Sequence, residues 1–369
     1  MSDPLLRFPV GSLAEKVRRG EPIEPVAPLQ PVRAAPPPSN HGAEVFQAGD
    51  FVLESGEVIR DMQVCYETWG QLNQWGTNIV LVCHGRSGDR LSLGAHIGPG
   101  RAYDTDRYFV VAMDAIGAGM SSSPASTGLG MRFPRYNIRD MARAQCLALT
   151  KGLGVTQLRC VAGPSMGAYV ALEFTVTYPA IVKSAVCLVP SAKCTPQLTA
   201  IHESQRAAIM ADAAWEDGGY NKPPVKGLHA AATAGFPWSY GEEWYLQNAK
   251  PEWYQARLEW ARKQSEEIDA NNSIYQSMAC DQHDVSVPFG GDLTAALARC
   301  RLPVLVMPCA TDLLIPPRNA QLLHQLLPRS RYVEIPSYAG HAAAGLEEEF
   351  VAYHIQRFLE DEAGATARR

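Results

Sequence analysis

Short apolar runs that stop at turn residues recur along this chain, and they limit it to a sheet that is covered on both faces. Met62 to Thr68, Asn78 to Gly85 (N-I-V-L-V-C-H-G) and Tyr108 to Asp114 (Y-F-V-V-A-M-D) come first. Each is continuous rather than alternating, which predicts strands with both faces buried. Helical spacing over Ile138 to Leu153 and over Met166 to Tyr178 brackets the strand-like Leu158 to Ala162, and Ala185 to Pro190 follows. Strand then helix, repeated, predicts a mostly parallel α/β sheet with right-handed crossovers. The rhythm breaks over 192–293, where Trp215, Trp238, Trp244, Trp253 and Trp260 sit among charged residues with no strand signal. An inserted helical cap is expected there, its aromatics packing on the body or lining a pocket. The rhythm resumes with Pro303 to Pro308, a helix from Arg318, the run Arg331 to Pro336 and a last helix near Glu347 to Glu360. The expected organisation is a Pro-rich tail (1–45), a first core part (46–191), the cap (192–293) and a second core part (294–369). The tail, with its prolines between Glu21 and Ser39, can sustain neither helix nor ladder.

One turn in this scheme carries chemistry. Gly163-Pro164-Ser165-Met166-Gly167 directly follows one predicted strand and directly precedes one predicted helix. That context fits a serine nucleophile on a strand-to-helix elbow, too tight for a side chain at Gly163 or Gly167. The alternative for Ser165 is a simple helix cap. A serine hydroxyl needs a base and an orienting carboxylate, which in this architecture follow later strands in the order serine, acid, histidine. Asp312 lies just past Pro303 to Pro308, and His341 lies in the loop past Arg331 to Pro336. Asp281, Asp284 and Asp292 are rival acids that follow no strand-like run, and His324 and His354 fall inside predicted helices. Acyl transfer also needs backbone donors for an oxyanion. Met166 N–H is one candidate, and Arg86 N–H, in the loop H-G-R-S-G-D, is the other. His84 in that loop is expected to bond backbone, with a catalytic base as the sharper alternative.

Composition narrows the classes. A net charge of −5 without long basic runs gives no case for nucleic acid or an anionic membrane as partner. Nine cysteines with no C-x-x-C pair, several inside apolar runs, fit a reduced cytoplasmic interior. No signal-peptide pattern or bilayer-length apolar stretch is visible. Gly117-Ala118-Gly119 lacks a full dinucleotide fingerprint, and the histidines show no metal-ligand spacing. Neither a cofactor nor a metal is expected.

Several longer segments carry a resemblance. Phe51 to Gly56, Tyr66 to Asn73, the H-G-R-S-G-D loop, Ile97 to Val110, Phe133 to Gln145 and the elbow are similar to the homoserine O-acetyltransferase family of α/β-hydrolases. So are His202 to Arg206 and Trp215 to Tyr220 in the cap, Ala310 to Pro317, and Gly340-His341. The resemblance implies the α/β-hydrolase fold, Ser165, Asp312 and His341 as a triad, and a homodimer formed through the caps. It also exposes departures. Pro164 and Ala168 replace two glycines of the family's G-G-S-M-G-G. Ala342 stands where an aspartate usually follows the histidine, and Ala232 where an arginine usually follows G-L-x-x-A. Both charged handles for an amino acid are missing. The expected activity is therefore hydrolysis of small carboxylic esters, with acyl transfer from acyl-CoA to an alcohol as the alternative and a non-catalytic binding protein as a minor third.

Overall fold

The computed structural model describes residues 35–248 and 250–367. Most of the Pro-rich tail expected over 1–45 lies outside the described residues. The part that is described runs along the sheet edge, where Pro37 O accepts from Trp69 Nε1 at 2.9 Å and Asn40 N donates to Thr68 O.

Eight strands form one sheet in the order β1-β2-β4-β3-β5-β6-β7-β8. They are β1 (Glu44–Val52), β2 (Val58–Trp69), β3 (Ile79–Cys83), β4 (Phe109–Met113), β5 (Cys160–Pro164), β6 (Ala185–Leu188), β7 (Val304–Met307) and β8 (Ser330–Tyr332). From β4 to β8 every pairing is parallel. The edge differs: β1 and β2 form an antiparallel hairpin, and β2 pairs antiparallel with β4. β1 begins inside the segment expected to be tail. Its burial alternates along an exposed edge, so it carries no continuous apolar run for the sequence to show.

The central strands show why the apolar runs are unbroken. Leu81 and Cys83 pack on one face with Met141 and Leu172, whereas Val80 and Val82 pack on the other with Phe358 and Leu359. Successive side chains alternate across the sheet, and helices cover both sides. Helix α1 (Ile138–Leu147) starts at a capping box in which the Asn137 side chain accepts from Asp140 N and the Asp140 side chain accepts from Asn137 N. It ends six residues before the expected Leu153, in a wider π turn over Ala148–Gly152. Helix α2 (Met166–Thr177), which follows the elbow, is buried on almost every side.

Between β6 and β7 the chain makes a helical excursion: α3 (Pro196–Met210), α4 (Val225–Ser239), α5 (Glu242–Gln247), α6 (Pro251–Ser265) and α7 (Ala270–Asp281). Its two ends are clasped by Cys194 N to His283 O and Val285 N to Ala192 O. Ile209, Trp215, Leu228 and Ile274 give it a small core of its own, and Trp215 Nε1 donates to Asn271 Oδ1. The chain then returns to the body through α8 (Leu293–Ala298), α9 (Pro317–Leu326), α10 (Ala343–Leu346) and α11 (Glu348–Ala367). No helix among the described residues is long and apolar enough to cross a membrane. The cysteines are all free, and burial pushes the Cys160 thiol up to about 12, so such groups behave as small hydrophobes.

Three of the buried histidines should make the fold acid-sensitive. Burial depresses His96 and His202 to about 4 and His283 to about 3. His283 stacks on Tyr169 with ring centroids 4.1 Å apart, and it faces Glu173 and, beyond it, Arg139. Each histidine is neutral when folded and charged when unfolded below its ordinary value, so its contribution is present above that value and lost as pH falls through 6.5 toward 4. Glu173, raised by burial to about 8, acts oppositely: it costs stability as pH rises from 4.5 to 8. Near pH 5 the four groups together should make unfolding take up about two protons. Urea midpoints at pH 7 and pH 5 should therefore differ markedly, and His283→Gln should shrink the difference. Equal midpoints would refute this.

Candidate active site

Ser165 sits at the end of β5 with φ 54° and ψ −119°, a conformation that side chains rarely adopt. The flanking glycines explain how it is held. A Cβ at Gly163 would lie 2.5 Å from Cys83 O, and one at Gly167 would lie 2.2 Å from the same oxygen and 2.9 Å from His84 O. Strand β3 thus presses directly on the turn and leaves room for nothing larger than hydrogen. The serine side chain makes no capping bond to α2. Its hydroxyl instead lies 2.9 Å from His341 Nε2.

The expected partners converge from separate loops. His341 Nδ1 is 2.7 Å from Asp312 Oδ2, while Asp312 Oδ1 accepts from Leu314 N and Ile315 N at 2.9 Å each. An ionised carboxylate only accepts, so the proton resides on Nδ1 and Nε2 is left to accept from the serine. Asp312 is 2% exposed and fully hydrogen-bonded, which fixes the ring's orientation. Gly340, at φ 58°, enables the histidine loop to pass close under the cap: a Cβ there would lie 2.7 Å from Gly241 N.

The rivals have other partners. Asp281 binds His202 Nδ1 and Arg206, Asp284 binds Ser286, and Asp292 caps α8 through Ala295 N. His84 uses both ring nitrogens on backbone, Nδ1 to Gly85 O and Nε2 from Ala115 N, as expected. His324 bonds Ser330 Oγ, and His354 packs with Phe350 and Tyr353 on α11.

The H-G-R-S-G-D loop reaches Ser165 at Gly85, where an added Cβ would lie 4.0 Å from Ser165 Cβ. The amide hydrogens of Arg86 and Met166 have no acceptor among the described residues. One follows Ser165 directly in the chain and the other follows Gly85, and two such donors converging on one point are what a tetrahedral oxyanion would need. Sequence reasoning missed the residues that fix this loop. Arg90 is clamped between Glu67 and Asp114, Asp114 also accepts from Arg90 N and Met120 N, and Gln276 of α7 accepts from Ser87 N at 2.7 Å. A charged residue closing a strand, as Asp114 closes β4, was the signal available for the first of these.

Ala232 lines a cavity of about 360 Å³ between cap and body, together with Arg86, Phe236 and Trp260. Ala342 lines a smaller one of about 180 Å³ with His96 and Arg257. Cap aromatics therefore do both things expected of them: Tyr240 is buried, stacked on Trp244 at 4.1 Å, and Trp260 borders both cavities. No cluster of three or more His, Cys, Asp or Glu suited to a metal ion occurs among the described residues.

Comparison with known proteins agrees with this architecture. A family model described as the alpha/beta hydrolase fold matches residues 78–345. The chain is 33% identical over 356 residues to the homoserine O-acetyltransferase of Methanosphaerula palustris, covering 85% of this chain and 72% of that protein. Among solved structures, the acetylester hydrolase from Corynebacterium glutamicum has a TM-score of 0.82 at 27% identity, covering 86% of this chain and 96% of that one. The homoserine O-acetyltransferase from Bacillus anthracis has a TM-score of 0.78, also at 27% identity, covering 86% and 97%.

Proposed function

This chain belongs to the α/β-hydrolase fold family, among the relatives of the homoserine O-acetyltransferases, and on that premise we propose that it cleaves small carboxylic esters through an acyl-enzyme. The observation that carries the reading is the continuous chain from Ser165 Oγ through His341 to Asp312, at 2.9 and 2.7 Å. Ser165 attacks the ester carbonyl as His341 Nε2 takes its proton. The oxyanion that forms accepts from Met166 N–H and Arg86 N–H. His341 then gives the proton to the departing alcohol, while Asp312 holds the imidazolium. Water, deprotonated by the same nitrogen, releases the acid and restores the serine. No cofactor takes part.

Water is assigned as the acceptor because of Ala232 and Ala342. Each lines a cavity, one between cap and body and one beside the His341 loop, and an alanine side chain cannot hold the charged end of an amino acid. Charge-assisted hydrogen bonds contribute roughly 1.5–3 kcal/mol each, so a homoserine site without them binds weakly. The names of the relatives favour a second reading, in which an alcohol intercepts the acyl group and acyl-CoA is the donor. A side-by-side time course separates the two: p-nitrophenyl acetate in water, and acetyl-CoA with and without L-homoserine. Ester turnover with no homoserine-dependent release of CoA is expected. Homoserine-dependent release would overturn the choice of acceptor, and the absence of any acyl-enzyme would point to the binding-protein alternative. The homodimer through the caps and the cytoplasmic location stay parts of this proposal, tested by sedimentation and by fractionation of the source cells.

A further inference from the structure

We propose that the Arg86 side chain is the anion-binding group of this site, and that the ester it serves carries a carboxylate. The inference rests on the ester-cleaving reading and adds the substrate class. Arg86 leaves the loop beside the nucleophile and reaches the cap, where its guanidinium donates to Gln205 Oε1 on α3 at 2.8 Å. It is the only charged residue among those described that line the cavity of about 360 Å³, whose other walls include Ile201, Leu228, Phe236 and Trp260.

Every neighbouring cation already has a carboxylate. Arg206 pairs with Glu203 and Asp281, His202 holds the other oxygen of Asp281, and Arg90 sits between Glu67 and Asp114. Arg86 has none among the described residues; its side chain bonds only the neutral amide of Gln205. Burial draws its pKa down, and nearby Arg206 adds to this against the pull of Asp281 and Cys280. A bound anion would offset that cost. The neighbouring cavity that Arg86 also borders holds Asp89, Glu267 and Asp269, so an anion is favoured on the apolar side. There the lining offers one cation and no acid, which suits a monoanion and leaves the ammonium of a zwitterion without a partner. Ser165 does not itself line this cavity. The link is the loop: Arg86 follows Gly85, which abuts Ser165.

Two ester pairs test which side of the bond bears the charge. 4-Acetoxybenzoate against phenyl acetate places it on the alcohol, and p-nitrophenyl hemiglutarate against p-nitrophenyl butyrate places it on the acid. In one pair the anionic member should have kcat/KM about 10- to 100-fold higher, mostly through KM. The ratio should collapse toward one in Arg86→Gln and recover in part in Arg86→Lys; the ratio is read, since the backbone amide of the same residue serves the oxyanion. A ratio near one in both pairs, or one unchanged by Arg86→Gln, overturns the proposal. Titration calorimetry keeps it separate from the ester-cleaving reading. Ser165→Ala protein should bind monomethyl glutarate at least about tenfold tighter than dimethyl glutarate, and Arg86→Gln in that background should remove the preference. Binding of this kind with no ester turned over would sink the ester-cleaving reading and leave the anion site standing. Turnover of neutral esters with no carboxylate preference in either assay would do the reverse.

Discussion

Ser165→Gly is expected to abolish ester turnover and, at the same time, to raise the temperature at which the protein unfolds. Removing a serine nucleophile costs on the order of 10⁴- to 10⁶-fold in kcat, because the base and the oxyanion donors have nothing to act upon. The gain in stability comes from backbone geometry. A side chain at φ 54° is strained, and a residue held in such a region costs about 1–3 kcal/mol. Glycine removes the strain but loses more chain entropy on folding, roughly 0.5–1 kcal/mol, so a net gain of about 1 kcal/mol is expected. Ser165→Ala separates the two effects: it keeps the Cβ and the strain, and should be equally inactive with no gain. Rates with p-nitrophenyl acetate and thermal scans of all three proteins decide the matter. An alanine variant within tenfold of the parent rate would remove Ser165 from the chemistry.

Gly167→Ala should have the largest effect on stability. Its new methyl would meet Cys83 O at 2.2 Å, Cys83 C at 2.8 Å and His84 O at 2.9 Å, all of them backbone atoms of a central strand and its exit. No rotamer change can relieve these contacts. Either β3 or α2 must shift, at a cost of about 3 kcal/mol or more, and any shift carries Ser165 away from His341. Gly163→Ala, at 2.5 Å from Cys83 O, should follow closely. Gly85→Ala is the control. Its methyl would sit 3.6 Å from Pro164 O and 4.0 Å from Ser165 Cβ, ordinary contact distances, so it should cost less than about 1 kcal/mol. Urea unfolding of the three variants reads this directly. A Gly167→Ala protein as stable as Gly85→Ala would show that the elbow has slack.

What the sequence made legible is what local pattern encodes. Ser165, Asp312 and His341 could be named because each lies just past an apolar run, and a parallel sheet brings the carboxyl ends of its strands to one side. The edge hairpin was harder, since β1 buries only Phe51 and half-covers alternate residues over the rest of its length. Helix α1 was extended too far because the residues of the π turn keep apolar spacing while the hydrogen-bond ladder changes. The supports of the H-G-R-S-G-D loop were mostly out of reach, Asp114 at the end of an apolar run being the one with a signal of its own. Arg90 meets Asp114 across 24 residues, and Ser87 meets Gln276 across 189, and no periodicity records such pairings.

The cap touches both flanks of the centre. From α7 it holds Ser87 through Gln276, and where α4 gives way to α5 the Gly241 amide donates to Tyr338 O, three residues before His341. A hinged lid that swung clear would have to release the His341 loop and the H-G-R-S-G-D loop together. Substrates that enter by such a swing would meet a disassembled centre, and chemistry would wait for reclosure. Entry with the roof at rest would keep the centre assembled throughout. In evolutionary terms the roof is then not an exchangeable module: grafting it from a relative would also replace the groups that hold the loops of Ser87 and His341.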